Sequence, residues 1–191
     1  MATIPSPRTW STGDTPTDTQ LNTDLRDAYG FLMNPPRVKV YSNAGQSFAT
    51  SEGIITNWDT QVYDSDGMWS SGAASKLVAV TAGWYEVILH LNWEVYNNSN
   101  PGNRFAAVKK NAASDPDIDA GGRAAIVGED SQFLSPSSSD PQTNHICTIV
   151  RLSAADYLEA VAYNTVSTSR SIIVSGVPAE TFFGMRWMAA L

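Results

Sequence analysis

The apolar and polar positions along the chain change period at residue 37. Before that point Leu21, Leu25, Ala28, Tyr29 and Leu32 recur at steps of three and four, which lays one apolar stripe along about four turns of helix. Thr15-Pro16-Thr17-Asp18 supplies a start, with Thr15 as N-cap, Pro16 at the first helical position and Asp18 at the positive end of the dipole. Asn34-Pro35-Pro36 ends it, so the expected helix covers 16–33. Residues 1–14 are rich in Pro, Ser and Thr, with Arg8 and Trp10 embedded, a composition that favours an extended arm.

From Arg37 onward the period is two, the signature of strands with one buried face. Over 84–96 the positions Tyr85, Val87, Leu89, Leu91, Trp93 and Val95 are all apolar, while Trp84, Glu86, Ile88, His90, Asn92 and Glu94 are mixed. One face therefore packs on an opposite sheet and the other meets water or a partner subunit. Further strands are expected over 38–41, 53–63, 77–80, 104–109, 124–128, 143–152, 157–163, 171–174 and 181–188, separated by turn-rich stretches such as 97–102 and 135–141. About ten short strands without interleaved helices argue for an antiparallel two-sheet sandwich rather than a parallel α/β sheet. The chain divides into a docking arm, 1–36, and a β domain, 37–191.

Composition narrows the function classes. With 42% hydrophobic residues, among them six Trp, seven Tyr and six Phe, 191 residues can build one sizeable core. A formal charge of −7, with Lys109-Lys110 as the largest basic cluster, argues against a nucleic-acid partner. Cys147 is the one cysteine, so no intrachain disulfide forms. The start Met1-Ala2-Thr3-Ile4-Pro5 lacks the features of a secretory signal, and no apolar run reaches the roughly 18 residues that span a bilayer. The expectation is synthesis in the cytoplasm without a membrane partner.

Candidate chemistry is sparse. Asp59, Asp64 and Asp66 could gather a hard cation, but their spacing is not that of a calcium loop. Asp115, Asp117 and Asp119 come nearer, yet Ala120 stands where Gly is needed and Ile126 where the bidentate Glu belongs. Solvated turn carboxylates are the favoured reading, so no metal and no cofactor are expected. His90 and His145 are the two histidines; a zinc site would need both, plus a carboxylate or Cys147. Cys147 follows His145 on the same strand face, but same-face neighbours point in parallel rather than at each other, and no orienting acid or oxyanion turn is recognisable. With no phosphate loop, dinucleotide fingerprint or nucleophile elbow either, an enzyme is not expected. Trp58, Trp69, Trp84, Trp93 and Trp187 could line a carbohydrate platform, although packing in a core or at a subunit interface is commoner. The helix stripe must bury against the β domain, its copies or a host shell; docking is favoured over a three-stranded bundle.

Four segments resemble the jelly roll of the tumour necrosis factor and complement globular-head superfamily. Trp58-Asp59-Thr60 through Tyr63-Asp64-Ser65-Asp66-Gly67-Met68-Trp69 resembles a segment of phage versions of that domain. Val80-Thr81-Ala82-Gly83-Trp84-Tyr85-Glu86-Val87 is similar to its Gly-x-Tyr strand opening, and Leu152-Ser153-Ala154-Ala155-Asp156-Tyr157-Leu158-Glu159 to its Leu-x-x-Gly-Asp strand approach. Thr181-Phe182-Phe183-Gly184 resembles its final Phe-x-Gly strand. Ala155 stands where that family usually has Gly. The arm brings a second resemblance: Arg8-Thr9-Trp10, Thr15-Pro16-Thr17, Gln20-Leu21-Asn22-Thr23 and Leu25-Arg26-Asp27 look like the N-termini of virion proteins from phages of actinobacteria.

These resemblances imply an all-β, tumour necrosis factor-like jelly-roll sandwich with an N-terminal extended arm and one short helix. They also imply a homotrimer in a phage virion, as a capsid decoration or minor tail protein made in the host cytoplasm. Arg8, Trp10, Leu21, Leu25, Tyr29 and Leu32 are the expected contacts to capsid or tail proteins. Trp84, Ile88, His90, Phe183 and Trp187 are the expected trimer-interface residues. The alternative is a receptor-binding module for host cell-surface glycans, through loops 97–103, 111–122 and 135–142.

Overall fold

The structure, a computed structural model, describes residues 4–6, 8–48, 52–94, 102–113, 125–134, 142–165, 170–172 and 181–191. The helical segment begins later than the Thr-Pro signal suggests. α1 is Asp18–Leu21, a π-helical stretch covers Asn22–Asp27, and α2 is Ala28–Met33. Thr17, not Thr15, is the N-cap: its hydroxyl accepts from the Gln20 amide, and the Gln20 side chain accepts from the Thr17 amide. This reciprocal box satisfies two amides at once, whereas Pro16 offers no donor.

The strands are β1 Arg37–Tyr41, β2 Gln46–Phe48, β3 Gly53–Ile54, β4 Thr60–Asp64, β5 Lys76–Val78, β6 Gly83–Trp93, β7 Gly102–Lys110, β8 Ile126–Leu134, β9 Gln142–Leu152, β10 Tyr157–Asn164, β11 Arg170–Ile172 and β12 Phe182–Ala189. They form a seven-stranded and a five-stranded sheet, all pairings antiparallel. In the larger sheet β9 runs along the whole of β6, from Gly83 opposite Leu152 to Trp93 opposite Gln142. The other edge of β6 takes β12 as far as His90 and then β11, which carries β2. Beyond β12 follow β1 and β4. The smaller sheet centres on β10, with β3 and β5 on one side and β7, then β8, on the other.

The odd positions of β6 point inward as the alternation requires, and Tyr85, Val87, Leu89, Leu91 and Trp93 are fully buried between the sheets. The Tyr85 hydroxyl donates to the Thr81 carbonyl at 2.6 Å, and burial pushes its pKa up to about 12. Trp93 donates through Nε1 to Asn144 Oδ1 at 2.7 Å, so its buried polar atom is satisfied. The stretch expected as one strand over 53–63 is instead a crossing. β3 belongs to the smaller sheet and β4 to the larger, and Trp58 fills the interior between them, 5.8 Å from the Phe183 ring.

The outer faces of the two sheets differ. On the smaller sheet, Lys109 and Glu159 are cross-strand partners buried to 1% and 0% exposure, Ser75 donates to Glu159, and Ala107 and Val161 sit under Ile54, Ile126 and Tyr163. That face is buried over β7 and β10 but leaves Phe133 of β8 exposed. On the larger sheet, Trp84, Ile149 and Tyr63 remain exposed.

Candidate functional site

Two surfaces of this sandwich carry apolar groups that the described residues leave uncovered. The first is the outer face of the seven-stranded sheet. β6 contributes Trp84, Glu86, Ile88 and His90. Its neighbours in register bring Cys147 and Gly184 beside Ile88, and His145 and Phe182 beside His90. Gly184 is where the face dips, because a Cβ there would meet the Val38 carbonyl at 2.9 Å. Around this dip lies a shallow cavity of about 190 Å³ lined by Lys39, Tyr63, Glu86, Ile88, Phe182 and Arg186.

Charge on this face is arranged in pairs. Arg186 donates to Glu86 at 2.6 Å across β12 and β6. The Lys39 ammonium lies 3.8 Å above the Phe182 ring centre, a cation–π arrangement, and burial holds its pKa below the ordinary value. Arg37 stacks over Tyr63. His90 stacks on Phe182 with ring centres 5.4 Å apart and stands edge-on to His145 at 5.9 Å.

Trp84, Ile88 and His90 thus share the outer face, as the alternation of β6 requires. Phe183 and Trp187 do not. In β12 Phe182 faces outward, so Phe183 is fully buried against Trp58. Trp187 turns inward at the sheet end, donating through Nε1 to the Ala82 carbonyl at 3.2 Å above Gly83, where a Cβ would collide with its indole. A five-tryptophan carbohydrate platform does not form. Trp58 and Trp93 lie in the core, Trp69 is tied by Nε1 to the Ala74 carbonyl, and Trp187 packs on Phe31.

The second surface is the arm and its helix. Phe31, 8% exposed, makes an edge-on contact with Trp187 at 4.8 Å between ring centres and fastens the helix to the sandwich. The predicted stripe stays exposed: Leu21 is 42%, Leu25 64%, Tyr29 65% and Leu32 72% exposed, although Leu32 also borders a cavity beside Phe31 and Trp187. The stripe does not bury against the β domain of its own chain, because the narrower face carrying Ala28 and Phe31 does so instead. Arg8 pairs with Asp24 at 2.9 Å and lies over the Trp10 ring, holding the arm along the helix. Between arm, helix and sheet is a cavity of about 560 Å³ lined by Ile4, Pro5, Asp24, Ala28, Phe31 and Trp187.

The acidic candidates resolve as turn-holders. The Asp64 carboxylate accepts from the amides of Asp66, Met68 and Trp69 at 3.1, 2.9 and 2.9 Å, and Asp59 accepts from the Asn43 amide. Asp115, Asp117 and Asp119, and the loop residues 97–101, 114–122 and 135–141, lie outside the described residues.

No family model matches the chain, and no curated protein does. Solved structures do. The globular domain of a zebrafish complement 1qA protein superposes with a TM-score of 0.52 at 11% identity, covering 82% of this chain and 99% of that one. The Eiger TNF structure from S. frugiperda gives a TM-score of 0.53 at 13% identity, covering 82% and 95%. The fold is the tumour necrosis factor and complement globular-head jelly roll. Within that jelly roll β6 and β12 lie centrally in the seven-stranded sheet, and the open face runs across them from Ile149 on β9 to Tyr63 on β4.

Phe31, Phe182 and Lys39 are the functional candidates that pattern reading passes over. Phe31 falls off the main helical stripe. For Phe182 and Phe183, two adjacent aromatics leave the strand phase undecided, although Gly184, needed beside the Val38 carbonyl, marks the outward positions.

Proposed function

We propose that the chain is a non-enzymatic virion structural protein, assembled as a homotrimer through the open face of the seven-stranded sheet and anchored to a phage capsid or tail by residues 1–36. The observation that carries this is the helix stripe Leu21, Leu25, Tyr29 and Leu32, which stays exposed while Phe31 fixes the helix to the sandwich. An apolar stripe left exposed on an anchored helix suits insertion into a groove of another protein, at i, i+4 and i+7 spacing. The likeness of the arm to virion proteins of actinobacterial phages supports a particle as the host of that groove. For self-association the support is exposed Trp84 and Ile149, with half-buried Ile88 on the same outer face of the larger sheet.

Removal of residues 1–36 tests the anchoring. The expected product is a folded trimer by analytical ultracentrifugation that no longer joins particles lacking the full-length protein. Normal incorporation of the truncated chain would sink the docking role, and a full-length chain that stays monomeric at micromolar concentration would sink the trimer.

A further inference from the structure

His90 on β6 and His145 on β9 are direct partners in the antiparallel register, both on the outer face of the larger sheet. Opposed residues of such a pair have Cβ atoms about 4.5–5.5 Å apart. Their ring centres are 5.9 Å apart with planes inclined at 68°. An ion about 2.1 Å from one nitrogen of each ring lies roughly 3.2 Å from each ring centre, so ligand angles from tetrahedral to linear separate the centres by about 5.3–6.5 Å. The observed separation falls within that range. Phe182, stacked on His90, limits the rotation of that ring. The His145 amide donates to Asp130 Oδ2 at 3.0 Å, which fixes the strand under the second ring.

We propose that His90 and His145 form a chelating pair for a divalent transition ion that favours imidazole nitrogen, with zinc or nickel as the natural occupants. No group of three or more His, Cys, Asp or Glu capable of holding a metal occurs among the described residues, so these residues supply two ligands. Water, or the same pair on a second copy, completes the shell. Both ligands come from one chain but lie on the face proposed above for self-association; sedimentation of the same samples separates loss of the ion from loss of the assembly. The charged and titratable neighbours on the described strands are Lys39, which lies over the Phe182 ring, Cys147, two residues along β9, and Asp130, which accepts from the His145 amide.

Isothermal titration of the full chain with zinc chloride at neutral pH tests this. Saturable binding is expected for the parent. His90→Gln and His145→Gln should each weaken binding at least about tenfold with unchanged circular dichroism, while Cys147→Ser binds as the parent does. The inference is overturned if the parent takes up no zinc at sub-millimolar concentration, if both histidine variants bind as tightly as the parent, or if only Cys147→Ser loses the ion.

Discussion

Ala155 occupies a backbone conformation that its side chain resists, and replacing it should make the protein more stable. Its φ is +72°, in the left-handed region that costs an L-residue with a Cβ about 1–2 kcal/mol. The turn cannot relax away from it: the Ala155 amide donates to the Ala79 carbonyl at 2.8 Å and the Asp156 amide to the Ser153 carbonyl at 3.1 Å. Both bonds define how β9 hands over to β10. Ala155 is exposed, so its methyl contributes little packing. Ala155→Gly removes the left-handed cost but frees the unfolded chain, an entropic penalty of about 0.4–1 kcal/mol. The net expectation is a gain of about 0.5–1 kcal/mol, or about 1–4 °C in Tm for a chain of this length. Ala154→Gly is the control, because Ala154 is also exposed but has no positive φ; it should lose about 0.5–1 kcal/mol. Urea unfolding of parent and both variants at one fixed protomer concentration measures this, since any assembly makes stability concentration-dependent. Should Ala155→Gly destabilise by as much as Ala154→Gly, the strain reasoning is refuted.

Two further perturbations probe polar groups that hold turns. Asp64→Ala strips three amides of their acceptor and should lower unfolding free energy by about 2–4 kcal/mol at about 1 kcal/mol per bond, with calcium leaving the Tm of the parent unchanged; a calcium-dependent rise would restore the cation reading of Asp59, Asp64 and Asp66. For Asp156, burial alone would raise the carboxyl, but hydrogen bonds from Lys110, Asn111 and the Ser153 amide outweigh it and hold the pKa below the ordinary value of 3.8. A folded-state pKa depressed in this way stabilises the protein in full above the unfolded value and is lost as pH falls through the folded value. The stability gap between parent and Asp156→Asn should therefore be constant above about pH 5 and shrink below about pH 4; equal gaps at neutral and acid pH would refute the assignment.

Strong periodicity made β6 legible from the sequence, because six alternating apolar residues admit one inward face. The helix was legible in extent for the same reason, but its docking face was not. Leu21, Leu25, Tyr29 and Leu32 form the wider stripe, yet Phe31 alone meets Trp187, a contact decided by where β12 ends in space. β2 was not legible because three residues, Gln46–Phe48, show no alternation. The 53–63 stretch misleads because apolar residues continue through the crossing, where Ile55 and Trp58 serve the core from outside any strand. Neither period nor composition states register, so the meeting of His90 with His145 required the pairing of β6 and β9 to be seen.

The place of β12 sets an order on synthesis. It lies between β1 and β6, so a nascent chain holds a gap in the middle of its larger sheet until residues near 189 have left the ribosome. Trp187, the seat for Phe31, arrives with the same strand. The arm helix therefore waits for β12, and it cannot settle on the sandwich before that strand has closed the sheet.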